Sequence, residues 1–418
     1  MKESNMFIND NSRSIEHILY LISYISWFLG VGVARPRNCS KAMTTIIRIV
    51  YLAVYSINMV YGSMHLFNYV FILDNLIFGI VFFIAVIICY VSTYYYVYHG
   101  ISQYDKWPEL MNKIKKLDQK IRKETYINNQ PVKNVEVVAI LVTLVCCLLL
   151  LIVYIKQLSC TYLNHPIMSD LLYFCMLIQS LINSFVFDIV VYVLYYRFKT
   201  INKLIGQLNE LSNASWIALK IKRIRELHYG ICDLVVMVND IYGVYLLLYS
   251  ANCFTVVVAS SFRIYVYVAK KHDINYYYIF TNIVILILHA LQFCLTCWIC
   301  TLVRQESDKT GIIICAIVLK CKPVDLNKLN RARHRLSIEM QPPLENLDND
   351  QNCNWNSNCN LNYVILESFL RINLDRDCVR NEINDFLSQL QHRRVAFTAC
   401  DFFEMSNALF CGVSTKFI

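Results

Sequence analysis

The chain has 418 residues, of which 57% are hydrophobic and only 17% charged, and its mean hydropathy is +0.42. A soluble protein of this length carries roughly a quarter charged residues, so this balance excludes an ordinary soluble domain and points to a membrane protein. The net charge of +9 is what cytoplasmic loops of such proteins collect, and it is no argument for nucleic acid.

The chain begins with a polar stretch, MKESNMFINDNSRS, that has no cleavable signal pattern. Residues 17–34 (HILYLISYISWFLGVGVA) are apolar and end at Arg35-Pro36-Arg37. Ser23, Ser26 and the tyrosines interrupt that surface, which predicts an interfacial or re-entrant helix; the alternative is an eighth span. From Ile49 to Asp105 there is no Lys or Arg, a run long enough to cross a bilayer twice. In chain order the predicted spans are 49–69, 76–98, 135–155, 168–196, 238–262, 276–303 and 396–418.

Orientation follows from the basic residues between spans. Residues 1–48 hold six Lys plus Arg, the Asp74-Asn75 turn none, 99–134 eight, 156–167 one, 197–237 seven, 263–275 three and 304–395 thirteen. The positive-inside rule then places the N-terminus in the cytoplasm and the seventh span's end outside. This is the reverse of a G-protein-coupled receptor, whose Asp-Arg-Tyr and Asn-Pro-x-x-Tyr motifs are also missing. The sequons at Asn38 and Asn213 fall inside and are predicted to be unmodified. The 18 Cys lie mostly in apolar runs, so they act as small hydrophobes and not as a secreted disulfide framework.

The expected fold is therefore all-α: seven transmembrane helices with long amphipathic extensions packed into a cytoplasmic bundle. In 107–123, Leu110, Ile114, Leu117 and Ile121 recur at helical spacing. In 201–229, Leu204, Leu208, Leu211, Ile224 and Leu227 do the same. The domain reading is a cytoplasmic N-terminus (1–48), six spans with their extensions (49–303), a cytoplasmic loop (304–395) and the seventh span (396–418). The loop holds an Asn- and Asp-rich insertion at 337–362, predicted to be disordered, and a last helix at 379–393.

Three stretches carry a resemblance. They are CTLVRQESDKTGIIICAIVLK (300–320), IRELHYGICDLVVMVNDIYGVYLLL (224–248) and EINDFLSQLQHRRVAFTACDFFEMSNALFCGVST (382–415). Within them stand Glu306 to Gly311; Asn239 with Tyr242-Gly243; Phe386, Gln389, Leu390 and His392; and Phe397, Thr398, Ala399, Phe402 and Phe403. With FLGVGVARP at 28–36, their order resembles the insect gustatory receptor family. That resemblance implies a tastant-gated, non-selective cation channel of the plasma membrane, a homotetramer or heterotetramer whose seventh spans line one pore. The 337–362 insertion is longer than the family's usual loop. The chain also stops at Lys416-Phe417-Ile418 where the family continues, so about the outer third of the seventh span is expected to be missing. A truncated or non-conducting subunit, or a secondary transporter, is the alternative; no internal repeat favours the transporter.

Strongly polar groups inside spans are candidate ligand contacts, because hydrocarbon tolerates them poorly. They are Asp170, Gln179, Asn183, Asn252, His289 and Gln292, with Tyr249, Tyr276 and Tyr277 as aromatic walls. Interhelical hydrogen bonding and interfacial anchoring are the plainer roles for the same residues. Asp188, deeper in the fourth span, is expected to pair with a neighbouring helix. Phe403, Phe410 and Ser414, spaced seven and then four, fit one helical face that would line the pore. Cys294, Cys297 and Cys300 lie along one helix with no turn to converge them, so no metal, cofactor or enzymatic centre is expected. A small tastant, bitter-type by default, and membrane lipid are the expected partners.

Overall fold

The computed structural model describes residues 19–72, 76–127, 129–160, 167–208, 214–269, 276–320 and 377–414. The Asp74-Asn75 turn, Asn213, the 337–362 insertion and residues 415–418 lie outside the described residues. The helices are α1 (Tyr20–Phe28), α2 (Lys41–Ile72), α3 (Leu76–Ser102), α4 (Lys106–Arg122), α5 (Gln130–Cys160), α6 (Ile167–Gln207), α7 (Ala214–Ala269) and α8 (Tyr276–Lys320). Residues 377–392 form α9. A two-stranded hairpin, β1 (Thr398–Ala399) and β2 (Phe403–Glu404), precedes α10 (Asn407–Ser414). The molecule is an all-helical polytopic membrane protein, the hairpin aside.

Among the described residues five helices are long and apolar enough to cross a membrane: Lys41–Tyr61, Gly79–Ser102, Cys175–Gln207, Trp216–Val266 and Ile279–Ala316. Helix α5 covers the predicted third span and exposes Val137, Val138, Leu141, Val142, Val145, Leu148 and Leu149.

The chain divides into two compact units. The first comprises Met1–Lys199, Gly230–Glu306 and Val395–Ile418. At its centre runs α6, with 83% of its apolar window buried against 22% for α2. A helix apolar on every side belongs in the interior, and Phe185, Phe187, Val190, Val191 and Leu194 are all closed off from solvent. Tyr242, Tyr245 and Tyr249 on α7, spaced three and four, share a face. They stack beside Phe187 and Tyr96 as a buried aromatic column.

Two sequence expectations change here, and one alternative is removed. Helix α1 has nine residues, about 13 Å of helix, against the ~30 Å of a hydrocarbon core; it is not an eighth span. Residues 107–123 do not continue the second span, because α4 is a separate helix after a break at 103–105. Its stripe of Leu110, Ile114, Leu117 and Ile121 is buried in the first unit. The second change is at 396–418, where residues 396–406 are not helical and the helix starts only at Asn407. Two acids, Asp401 and Glu404, sit in that apolar window and were its visible warning.

Helix α2 begins before the apolar run because Arg48 is satisfied by backbone. Its guanidinium donates to Gly32 O at 2.7 Å and Val97 O at 3.3 Å. Gly32 has φ of +59°, a conformation open mainly to glycine. Gly100 has no room for a Cβ, which would collide with Arg48 and Gly32 O.

The second unit comprises Thr200–Tyr229 and Ser307–Arg394. Leu204, Leu208, Ile224 and Leu227 are buried in it with Ile314, Ile383 and Phe386; Leu211 is outside the described residues. Arg225 holds Glu382 at 3.1 Å and Asp385 at 2.6 Å, and Thr310 donates to Asn202 Oδ1 at 2.7 Å.

Candidate functional site

Helices α6, α7 and α8 enclose a cavity of about 30 Å³, lined by Leu177, Ser180, Leu181, Tyr249, Cys253, Ile285, Leu288, His289 and Gln292. The helical repeat explains the set: Leu177 and Leu181 are four apart on α6, Tyr249 and Cys253 four apart on α7, and Ile285, Leu288, His289 and Gln292 recur at three and four on α8. Most of the wall is apolar, with one hydroxyl, one phenol, one imidazole and one amide breaking it. His289 Nδ1 lies 3.1 Å from Ile285 O in its own helix. In this conformation the cavity has room for water-sized molecules, so a larger guest requires the walls to part.

Of the nine sequence-predicted ligand contacts, the structure brings Tyr249, His289 and Gln292 together here. Gln179 and Asn183 turn elsewhere. Gln179 Nε2 donates to Leu29 O at 2.7 Å, and the Asn183 side chain packs against Gly32. Both hold the segment after α1. Asn252 is buried outside the cavity lining, with its Oδ1 unpartnered. Asp170, Tyr276 and Tyr277 lie in the first turns of α6 and α8, and their side chains lie outside the described residues. Leu177, Leu181, Ile285 and Leu288 were missed because an apolar wall residue in an apolar span gives no compositional signal. The helical spacing from Tyr249, His289 and Gln292 was the available one.

Beside the cavity lies a polar cluster. Gln292 Nε2 donates to Ser184 Oγ at 2.8 Å and reaches Asp188 Oδ2 at 3.5 Å. Ser184 Oγ and Thr296 Oγ1 are 3.3 Å apart. Asp188 thus does meet a neighbouring helix, as expected, but through amide and hydroxyl groups.

The cavity wall also touches the C-terminal segment. Tyr249 packs on Phe293, and Phe293 on Phe410 of α10, with ring centroids 6.2 and 6.4 Å apart. Asn407 N donates to Thr301 Oγ1 at 3.0 Å. Ahead of α10 the hairpin is locked by Asn239, whose Nδ2 donates to Ala396 O at 2.7 Å while its Oδ1 accepts from Thr398 N at 3.3 Å. Cys400 and Asp401 have φ of 50° and 60°, the paired left-handed residues of a tight hairpin turn. Phe403 is on β2 and Phe410 on α10, so they do not share the single helical face the spacing suggested. The Ser414 side chain lies outside the described residues.

Residues 19–341 match the profile of the 7tm chemosensory receptor family. The chain belongs to that family. It is a receptor and not an enzyme. No curated protein matches the receptor's sequence. Its fold is similar to that of the insect olfactory receptor OR5 from Machilis hrabei in complex with eugenol, with a TM-score of 0.59 and 11% identity over 96% of this receptor and 94% of that chain. A second structure of OR5 gives a TM-score of 0.56 and 10% identity over 96% of each. At that identity the likeness establishes the fold alone.

Proposed function

We propose that this receptor is a taste receptor of the plasma membrane, a cation channel opened by a small molecule seated between α6, α7 and α8. The observation that carries the reading is the cavity itself, where α7 places Tyr249, α8 places His289 and Gln292, and α6 places Ser180 in an otherwise apolar wall. Such lining suits a mostly apolar ligand with one or two hydrogen-bonding groups. It suits a bitter-type compound better than a sugar, whose many hydroxyls would be left unpaired. Asp170, Tyr276 and Tyr277 at the helix starts complete the proposed ligand route, while Gln179 and Asn183 hold the segment after α1 beside it.

In this reading the N-terminus is cytoplasmic, the second unit is the cytoplasmic anchor of a tetramer, and α10 belongs to the pore, with Phe410 and Ser414 on one face. Phe403 sits at the hairpin ahead of it. The contact from Tyr249 through Phe293 to Phe410 gives a ligand a mechanical path to α10. Whole-cell recording from cells expressing the chain tests this, with a panel of plant secondary compounds set against a panel of sugars. Currents evoked by the first panel are expected. Currents evoked only by sugars would reject the ligand class, and surface-expressed protein with no current to either would reject the channel.

A further inference from the structure

Asp188 is 2% exposed and carries a carboxylate with no basic partner among the described residues. The buried arginines of the same unit are committed elsewhere: Arg35 to the Tyr104 and Cys39 carbonyls, Arg48 to two backbone carbonyls, Arg197 to Asp118 and Asn129. Asp188 Oδ1 has no hydrogen-bond partner, and its Oδ2 has a long contact to Gln292, with the Thr296 hydroxyl the other group turned to the carboxylate. A buried carboxylate left in this state is costly unless a counter-charge joins it or a proton neutralises it.

The groups around it are oxygens. Thr296 faces Asp188 and is fully buried, as is Ser184. Their hydroxyls stand 3.3 Å apart, long for an O–H···O bond. Tyr245 and Tyr249 turn toward Ser184 within electrostatic range of Asp188, yet both phenol oxygens are without a hydrogen-bond partner. The set is one carboxylate and up to four hydroxyls, all drawn from α6, α7 and α8. Hard oxygen donors suit a hard cation, and one carboxylate in place of several suits a single positive charge over a divalent ion.

We propose that Asp188, Ser184 and Thr296, with the hydroxyls of Tyr245 and Tyr249, form a binding site for one monovalent cation of the sodium type beside the ligand cavity. Gln292 lines the cavity and also contacts Ser184 and Asp188. A bound cation therefore sets the position of a side chain that a ligand would meet. The site itself stands independently of what that ligand is.

The test is thermal unfolding of the purified full chain in NaCl against choline chloride, at constant pH and ionic strength. The wild type is expected to show a saturable rise in Tm of about 2 °C or more with Na⁺, absent in Asp188→Asn. Thr296→Val, which keeps the charge, is expected to raise the Na⁺ concentration for half-effect several-fold, and it decides the matter if Asp188→Asn does not fold. Equal Tm in the two salts would overturn the proposal, as would a Na⁺ effect that survives Asp188→Asn or is unmoved by Thr296→Val. A Tm that follows pH but ignores Na⁺ also overturns it, since Asp188 would then be neutralised by a proton.

Discussion

Two buried aspartates of the first unit meet opposite surroundings. Asp118 on α4 faces Arg197 on α6 through two contacts, 2.7 Å from Nε and 2.9 Å from Nη2, and Asn129 takes a further donor of the same guanidinium. Burial pushes the Asp118 carboxyl above its usual range, and Arg197 pulls it back. Asp188, seventy residues on, has amide and hydroxyl neighbours and a free oxygen. The first arrangement sets charge against charge through two short contacts, so it fixes α4 to α6 even though Arg197 Nη1 is left without a hydrogen-bond partner. The second is underfilled and adjoins a cavity whose walls must move to admit a guest. Rigidity and responsiveness are thus separated along α6, within one continuous helix.

The sharpest way to break this contrast is to remove Arg197. Arg197→Ala leaves Asp118 buried without a counter-charge, and the expected loss is about 3–5 kcal/mol. It would be seen as a collapse of the monodisperse fraction in size-exclusion chromatography. Replacing both partners by apolar residues, Arg197→Met with Asp118→Leu, is expected to restore most of that fraction. Asp188→Asn should cost far less than Arg197→Ala in low-sodium buffer; equal losses would erase the distinction between a fixed joint and an adaptable one.

Next in size is Gly100→Ala. Its Cβ would collide with Arg48 and with the Gly32 carbonyl, and a forced shift of that kind costs about 1–3 kcal/mol. Thermal unfolding should show a clear drop, whereas an unchanged Tm would mean that the Arg48 clamp is not rigid. Gln292→Ala comes third. Losing one buried hydrogen-bonding group is worth about 1 kcal/mol, so the concentration for half-maximal current should rise roughly fivefold while surface expression persists. An unchanged dose–response would remove Gln292 from the ligand's surroundings. The smallest effect is expected for Arg304→Ala. The Arg304–Glu404 pair is 2.6 Å long but partly exposed, and such pairs contribute about 0.5 kcal/mol. A shift in Tm barely above error is predicted, because Asn239 holds the hairpin's backbone independently.

Much of the helical order was legible because burying apolar surface leaves a periodic record. The stripes of α4 and of 201–229 were found as stripes, and the structure buries their described members. What hydropathy missed were the places where polar groups are satisfied by backbone. Arg48 read as the edge of a span, yet it lies inside α2 because two carbonyls accept its protons. Gln179 and Asn183 read as ligand contacts, yet they serve the segment after α1. The stretch 396–406 read as helix because its apolar content is high. Its conformation is set by Asn239, some 160 residues earlier, and no local pattern records such a distant partner. Only Asp401 and Glu404 gave a local hint. In the cavity, Tyr249, His289 and Gln292 were visible as anomalies, whereas Ser180 and the apolar residues were not.

In the proposed function a small molecule acts from the space between α6, α7 and α8. Leu288→Trp fills that space from α8 without adding charge, and whole-cell recording with matched surface labelling reads its effect directly. Evoked current is expected to disappear in Leu288→Trp while the amount of receptor at the surface is unchanged. A full-sized current with the wild-type dose–response in that variant would contradict it.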